Sequence, residues 1–248
     1  MNVSIPAPLS GLARPNRRAV LGAFAGLVLS TRIGTSQPAP GLSGAFIDAW
    51  LHIGTDDLVT ILLAQSEMGQ GIGTTLPLAL ADELGADWSR VKLTWSDFDP
   101  AYRHPQYQWM FTGNSESIST FYPIMRMVGA AAREMLVAAA AKRLSVQQAS
   151  LSVDSGKIRH DASGRILTFG SVAAEAAKVT VPQSPMLRSG AELRHIGKSQ
   201  SRLDIPSKVD GSAIFGIDVR VPNMAVAAIL RAPSQGAGAG TVHARNSS

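Results

Sequence analysis

The chain has 248 residues and a formal net charge of +5, with 45% hydrophobic and 17% charged residues. This balance excludes an intrinsically disordered protein and permits one large domain or two small ones. Because there is no cysteine, disulfides, iron–sulfur ligation by this chain and a cysteine nucleophile are excluded. Much of the basic excess lies near the ends without interleaved aromatics, which does not favour nucleic-acid binding.

Residues 1–44 have the layout of an export signal followed by a linker. Arg17 and Arg18 stand directly before an apolar run, residues 19–29, which is too short for a membrane-spanning helix of about 20 apolar residues. Paired arginines before such a core are typical of twin-arginine export. The sequence therefore predicts a protein in the periplasm or on the periplasmic face of the inner membrane. A buried N-terminal helix with an incidental arginine pair is the alternative.

The next part of the chain is typical of strands. Residues 46–53 alternate apolar and polar side chains, and residues 54–57 have the composition of a turn. Residues 58–63 are apolar and rich in β-forming side chains, so the two segments predict a hairpin. Residues 91–95 predict a further short strand.

Residues 65–73 are dense in glycine and lie between a predicted strand and a predicted helix. Thr74 or Thr75 is expected to cap that helix, which ends at Gly85. Glycines let a ligand approach the backbone closely, and N–H groups at a helix start can bind phosphate. With Asp97 after the following strand, this layout imitates a dinucleotide site, although Thr74 replaces the third glycine of that pattern.

A polar and aromatic segment, residues 97–114, predicts a long functional loop. An alanine-rich helix with apolar residues at helical spacing follows it and ends at Leu144. Residues 151–153 and 157–160 then predict a small hairpin, and residues 169–179 a short amphipathic helix.

The end of the long loop combines hydroxyl groups and a glycine before a helix start. Thr112, Gly113 and Ser115 stand where an oxyanion could bind, and an ordinary Ser/Thr helix cap is the alternative. Two such loops in one domain favour a phosphate-bearing cofactor held between them. The five histidines are far apart and lack metal-ligand spacing, so the sequence predicts no metal ligand.

Composition also predicts the domain organisation. Residues 45–180 form a first domain and residues 181–202 a linker. Residues 203–233 predict the start of a second domain, with an apolar strand over residues 225–230. Residues 234–248 are rich in Gly, Ala, Ser and Arg without periodicity and predict an unstructured tail.

These motifs resemble a known family. Residues 67–71 (EMGQG) and 81–85 (ADELG) are similar to the molybdopterin-binding region of the xanthine dehydrogenase/aldehyde oxidase family. Residues 112–115 (TGNS) resemble that family's second pterin-contacting loop. The order of parts is similar to the branch that contains isoquinoline 1-oxidoreductase and membrane-associated aldehyde dehydrogenases. There, a segment similar to residues 202–211 opens a smaller α/β domain called the hammerhead.

The resemblance implies an α+β fold, with a molybdopterin-binding α/β domain fragment before the start of a hammerhead-like α/β domain. It implies oxidation of aldehydes or N-heterocycles by an exported molybdenum hydroxylase. The cofactor would be a molybdopterin-type molybdenum cofactor, in its plain or cytosine dinucleotide form. A separate [2Fe–2S] small subunit, with or without a c-type cytochrome subunit, would carry the electrons away.

The resemblance also assigns the site. The residues expected to bind the cofactor are Gly69, Gln70 and Gly71 at the pterin and Thr112, Gly113 and Ser115 at its phosphate side. The family's catalytic glutamate lies in a later glycine-rich segment that has no counterpart here. The resemblance therefore predicts a truncated chain without a catalytic residue, inactive by itself. Asn114 and Glu116 depart from the family pattern, and a carboxylate facing the ligand would weaken phosphate binding.

Two other functions stay open at this point. One is a nicotinamide or flavin dinucleotide-dependent oxidoreductase that uses the glycine-dense loop and Asp97. The other is a non-catalytic exported binding protein.

Replacing both Arg17 and Arg18 by Lys is expected to retain the protein in the cytoplasm, because the twin-arginine route depends on the arginine pair. The measurement is fractionation of cells that express the wild type and the double variant. Normal export of the double variant would contradict the predicted signal.

Overall fold

The computed structural model describes residues 44–229, 231–238 and 240, so the predicted export signal lies outside the described residues. The contacts divide the chain into two compact units, with Ile205 the last residue of the first and Pro206 the first of the second. Within the described ranges, no helix is long and apolar enough to span a membrane.

The first unit contains a sheet of four strands in the order β1-β2-β3-β4. The strands are β1 (Gly44–Asp48), β2 (Leu51–Gly54), β3 (Val59–Leu63) and β4 (Val91–Trp95). β1, β2 and β3 pair antiparallel, whereas β3 and β4 pair parallel. The predicted hairpin and the strand over residues 91–95 are confirmed.

The prediction of one strand over residues 46–53 is wrong, because the chain turns between β1 and β2. The turn contains Trp50, which is buried. Its ring packs edge-on against Tyr102, with centroids 4.8 Å apart, and lies 6.0 Å from the Phe121 ring. A straight strand would have alternated its side chains between two faces, whereas the turn brings this indole into the core.

Helix α1 (Ile72–Leu84) connects the parallel strands β3 and β4. It begins after Gly71 and has no side-chain cap, so the predicted cap at Thr74 or Thr75 is wrong. Its predicted end is confirmed: Gly85 is left-handed and donates its N–H to the carbonyls of residues 81 and 82. Every residue of α1 except Thr75 is buried, which requires cover from several directions.

The long helix α2 (Glu116–Leu144) provides much of that cover and confirms the alanine-rich helix. The two helices touch at Gly129, where an added Cβ would lie only 2.4 Å from the Leu80 carbonyl oxygen. A side chain of any size at this position would push the helices apart, so the close crossing depends on glycine.

A second sheet has three antiparallel strands in the order β5-β6-β7. They are β5 (Leu151–Asp154), β6 (Lys157–His160) and β7 (Arg165–Thr168). The predicted hairpin over β5 and β6 is confirmed, whereas β7 was not predicted, since half of its residues face solvent. Helix α3 (Phe169–Ala176) follows directly and ends three residues before the predicted boundary.

Residues 181–204, called the strap below, include the predicted linker and are hydrogen-bonded to α1. The Asp82 carboxylate, on α1, accepts the backbone N–H groups of Arg194, His195 and Ile196 at 2.9–3.1 Å. Burial by itself would raise the pKa of Asp82, but these three N–H donors and the nearby His195 hold it below the ordinary value. The strap is thus hydrogen-bonded to a buried anion.

Glu83 anchors the strap at a second point. Its carboxylate is fully buried and pairs with Arg126 and Arg133 of α2, the second at 3.3 Å. It also accepts the backbone N–H of Arg188, in the strap, at 2.9 Å. A buried carboxylate is tolerated when it is paired and hydrogen-bonded in this way, and here it joins α1, α2 and the strap.

Helix α4 (Ile205–Val209) begins at the last residue of the first unit, and its other residues belong to the second unit. The second unit also contains a 3₁₀ turn at Gly216–Asp218. The predicted strand over residues 225–230 is wrong for the described residues 225–229, which are not in a strand. A strand needs a hydrogen-bonded neighbour and a buried face, and here Val226 and Ile229 are 88% and 84% exposed.

Asp82→Asn is expected to lower the free energy of unfolding at neutral pH by about 1–3 kcal/mol, because an amide cannot accept three N–H bonds as a carboxylate does. The folded-state pKa lies below the ordinary 3.8, so this stabilisation is complete above that value and is lost as pH falls through the folded pKa. The difference between variant and wild type should therefore shrink in acid.

The measurement is urea unfolding followed by tryptophan fluorescence, since all four tryptophans lie in the first unit. Asp161→Asn, at an exposed aspartate, serves as the control. A difference that is independent of pH would contradict the assigned role of the Asp82 charge.

Candidate functional site

The two loops singled out in the sequence leave the same edge of the first sheet. β3 and β4 are parallel, with Leu63 paired to Trp95, so their carboxyl ends lie side by side. Residues 64–71, the glycine loop, follow β3, and residues 96–115, the second loop, follow β4. The backbone N–H of Ser66 donates to Thr112 Oγ1 at 3.0 Å, which joins the two loops directly.

The anion-binding groups of the glycine loop are occupied by the loop itself. The Glu67 carboxylate accepts the backbone N–H groups of Gly69 at 2.8 Å and of Gly71 and Gly73 at 3.0 Å. Burial alone would raise the pKa of Glu67, but these N–H groups and Arg202 hold it below its ordinary range. The loop therefore carries an internal carboxylate where a phosphate-binding loop would present free N–H groups.

Gln70 is exposed and stabilises the glycine loop through its side-chain amide. Its Nε2 donates to the Ser66 carbonyl at 2.8 Å, and its Oε1 accepts the Met68 N–H at 2.5 Å. Each amide atom keeps one more hydrogen-bonding position.

Gly69 and Gly71 both have positive φ, and no atom lies within 4 Å of an added Cβ at Gly69. The loop thus presents an open backbone surface beside a fixed amide.

The second loop ends in an unusual helix start. Asn114 and Ser115 are both left-handed, and the N-cap Ser115 makes no side-chain capping hydrogen bond to α2. Gly113 lies against Phe111, whose ring would be 2.6 Å from an added Cβ. The structure thus brings the glycine loop and Thr112 together and places Ser115 at an uncapped helix start, where N–H groups favour an anion.

The Glu116 carboxylate, in the first turn of α2, is directed at Tyr107 and His104. It accepts the Tyr107 hydroxyl at 3.2 Å and lies 3.4 Å from Nε2 of His104. His104 is buried, stacks on Tyr107 and accepts the Gln106 N–H at Nδ1, which leaves the proton of the neutral ring on Nε2. Burial lowers the pKa of His104, and Glu116 partly offsets that effect. The spacing of His104, Tyr107 and Glu116 in the sequence did not predict that their side chains contact one another.

Aromatic rings border the loops. Trp109 stacks on Phe111 with ring centroids 5.6 Å apart and an interplanar angle of 11°, and the residue is 59% exposed. Trp95, at the end of β4, packs against Gly73 and is half exposed. Phe98 is 73% exposed. Flat apolar surface is thus available next to the polar groups of both loops, as is usual in sites for planar ligands.

Two buried polar atoms at the same sheet edge have no hydrogen-bond partner among the residues that the structure describes. They are Oε1 of Gln65, whose side chain is only 1% exposed, and Oγ of Ser96. Leaving a buried acceptor unpaired costs about 1–3 kcal/mol. Such atoms at the carboxyl ends of two parallel strands are unusual and indicate a place where an external polar group can bind.

The site offers hydrogen-bonding groups and exposed aromatic surface. In the described part of the chain, no group of three or more His, Asp and Glu side chains could hold a metal ion. Asp97, which the dinucleotide interpretation requires, is exposed on the second loop.

Comparison with known proteins agrees with the family resemblance. The chain is 32% identical over 237 residues to the isoquinoline 1-oxidoreductase subunit beta of Brevundimonas diminuta, across 82% of this chain and 30% of that one. It is 35% identical over 192 residues to a membrane-bound aldehyde dehydrogenase [pyrroloquinoline-quinone] of Gluconacetobacter polyoxogenes, across 75% and 24%. The chain therefore spans less than a third of the length of either relative.

The quinoline 2-oxidoreductase structure from Pseudomonas putida 86 is also similar to the chain, with a TM-score of 0.37 and 18% identity over 51% of this chain and 16% of that one. A sequence profile of the molybdopterin cofactor-binding domain matches residues 19–207. The chain belongs to this molybdopterin cofactor-binding domain family.

Proposed function

We propose that this chain binds the molybdenum cofactor of an exported hydroxylase that oxidises aldehydes or aromatic N-heterocycles. The observation that carries the proposal is the joining of two cofactor-type loops at one sheet edge, through Ser66 and Thr112. The names of the two relatives, an isoquinoline oxidoreductase and an aldehyde dehydrogenase, support both substrate classes. The half-exposed ring of Trp109 offers a surface for a planar substrate or for the pterin.

The residues at the site fit a pterin cofactor better than a nicotinamide or flavin dinucleotide. A dinucleotide bound in the usual way needs the N–H groups of the glycine loop for its pyrophosphate, and here Glu67 already occupies them. A pterin instead offers ring nitrogens, an amide and an amine, which suit Gln70 and the unpaired acceptor Gln65 Oε1. Thr112, Gly113 and Ser115 would then contact the phosphate side at the start of α2.

These residues indicate what the cofactor and the protein would each contribute to the reaction. The bound cofactor supplies the redox chemistry, and the protein supplies binding, orientation and exclusion of water. In this chain the glycine loop would orient the pterin, while Trp109 and Phe111 would shield one side of the site. The relative from Brevundimonas is described as a subunit, which supports a partner that accepts electrons. We propose a [2Fe–2S] subunit for that role and a periplasmic location for the assembly.

The test is to express the chain in cells that make molybdenum cofactor and to measure molybdenum, pterin fluorescence and released nucleotide per purified chain. We expect molybdenum and pterin in comparable amounts, and nucleotide release on hydrolysis will reveal a cytosine dinucleotide form. Gly71→Val should abolish retention, because a side chain at this positive φ distorts the loop.

Gly211→Val is the control, since Gly211 has a positive φ like Gly71 but belongs to the second unit. No atom lies within 4 Å of an added Cβ at Gly211, whereas the Arg202 guanidinium lies 3.9 Å from one at Gly71. The Gly211→Val chain should keep the cofactor. A wild-type chain that carries a nicotinamide or flavin nucleotide without molybdenum would refute the proposal.

Gln65→Met is expected to raise the free energy of unfolding of the cofactor-free chain by about 1 kcal/mol, because it removes an unpaired buried acceptor with little change in volume. The same change should lower the molybdenum content. Gln147→Met, at an exposed glutamine, should alter neither quantity in urea unfolding and metal analysis. A destabilised Gln65→Met chain would mean that the amide has a partner in the cofactor-free protein.

A further inference from the structure

The strap reaches the glycine loop at its far end. Arg202 lies 133 positions after Gly69, and its Nη1 donates to the Gly69 carbonyl at 2.9 Å. Its Nη2 lies 3.4 Å from Oε1 of Glu67, the carboxylate that holds the loop's N–H groups. One guanidinium therefore contacts both the backbone of the loop and the anion at its centre.

Asp204 fixes the position of this guanidinium, and Leu203 joins the same end of the strap to helix α1. Asp204 accepts Nε of Arg202 at 2.9 Å and Nη2 at 2.6 Å, a two-point contact that sets the plane of the guanidinium. The backbone N–H of Leu203 donates to Thr74 Oγ1 at 2.9 Å, in the first turn of α1. Residues 202–204 thus fasten the loop at Gly69 and the start of α1 at Thr74.

Arg202 could either bind the phosphate of a ligand or hold the glycine loop, and the groups around it decide between these two roles. The hydrogen bonds that Arg202 donates to Asp204 raise the pKa of Arg202, with a further contribution from the charge of Glu67. Two carboxylates face this guanidinium, and its donors are directed at protein atoms. Such an arginine is poorly suited to bind the phosphate of a ligand and well suited to hold a loop.

We propose that residues 202–204 form a latch that fixes the conformation of the glycine loop, with Arg202 as its positioning residue. The role of the latch in cofactor binding rests on the function proposed above. The loop's three internal N–H bonds depend on the position of the Glu67 carboxylate, and Arg202 is the strap residue that contacts it. Releasing the latch would let Glu67 and the Gly69 carbonyl move while the buried anchors Asp82 and Glu83 keep the rest of the strap in place.

The test is hydrogen exchange of the amides of Gly69, Gly71 and Gly73 in the full 248-residue chain, without cofactor. Arg202→Met should accelerate their exchange about tenfold, since a charge-assisted contact to the loop is lost. Arg202→Lys, which keeps the charge but not the two-point geometry, should recover part of the protection.

Arg194→Met is the matched control within the strap. The Arg194 side chain pairs with Asp154 and contacts Ser155 at 3.1 Å, while its backbone N–H to Asp82 survives the substitution. This variant should leave the three glycine amides unchanged. Unchanged exchange in Arg202→Met, or equal acceleration throughout the first unit, would overturn the latch.

Molybdenum content distinguishes the two proposals. If the latch serves cofactor binding, Arg202→Met should carry several-fold less molybdenum than the wild type, and Arg194→Met the same amount. A wild-type chain without molybdenum would refute the proposed function, while the exchange data would still decide whether the latch exists. A latch confirmed by exchange with unchanged molybdenum in Arg202→Met would overturn its role in cofactor binding.

Discussion

The first unit depends on the burial of helix α1 on nearly every side. A helix in this position must be covered by the sheet, by α2 and by the strap, and its carboxylates Asp82 and Glu83 are buried with it. Removing those charges from water is unfavourable unless each is matched by several donors. The matching donors are two arginines of α2 and four backbone N–H groups of the strap. The same pairs that satisfy the charges therefore determine where the strap runs.

The glycine loop follows the same principle on a smaller scale. Glu67 stands where an external anion would bind, so the loop is ordered before any ligand arrives. A preformed loop reduces the entropy that binding must overcome. Under the proposed function, a pyrophosphate bound at this loop would have to displace Glu67, whereas a pterin amide would not. That proposal therefore assigns the distinction between the two ligands at this loop to an acidic residue inside the motif.

Local sequence patterns predicted most of the secondary structure. Alternation and β-forming residues indicated β3 and β4, and alanine content with apolar spacing indicated α2. The break at Trp50, the extra strand β7 and the absence of a strand over residues 225–229 were missed, because each depends on packing or pairing with distant residues. Both loops were found from their glycines and hydroxyls. The hydrogen-bond partners of Glu67, Asp82 and Glu83 could not be predicted. No sequence pattern indicates which donors will contact which of these carboxylates in the folded chain.

The long separation between Gly69 and Arg202 affects how the protein is made. During synthesis the glycine loop leaves the ribosome well before the residues that fasten it, and α1 emerges before the N–H groups that match its buried charges. Contacts of such long range form late and slow the folding of a domain. If the latch fixes the loop as proposed, the loop takes its final form only once the strap has docked, and a cofactor that recognises that form would be inserted after this step.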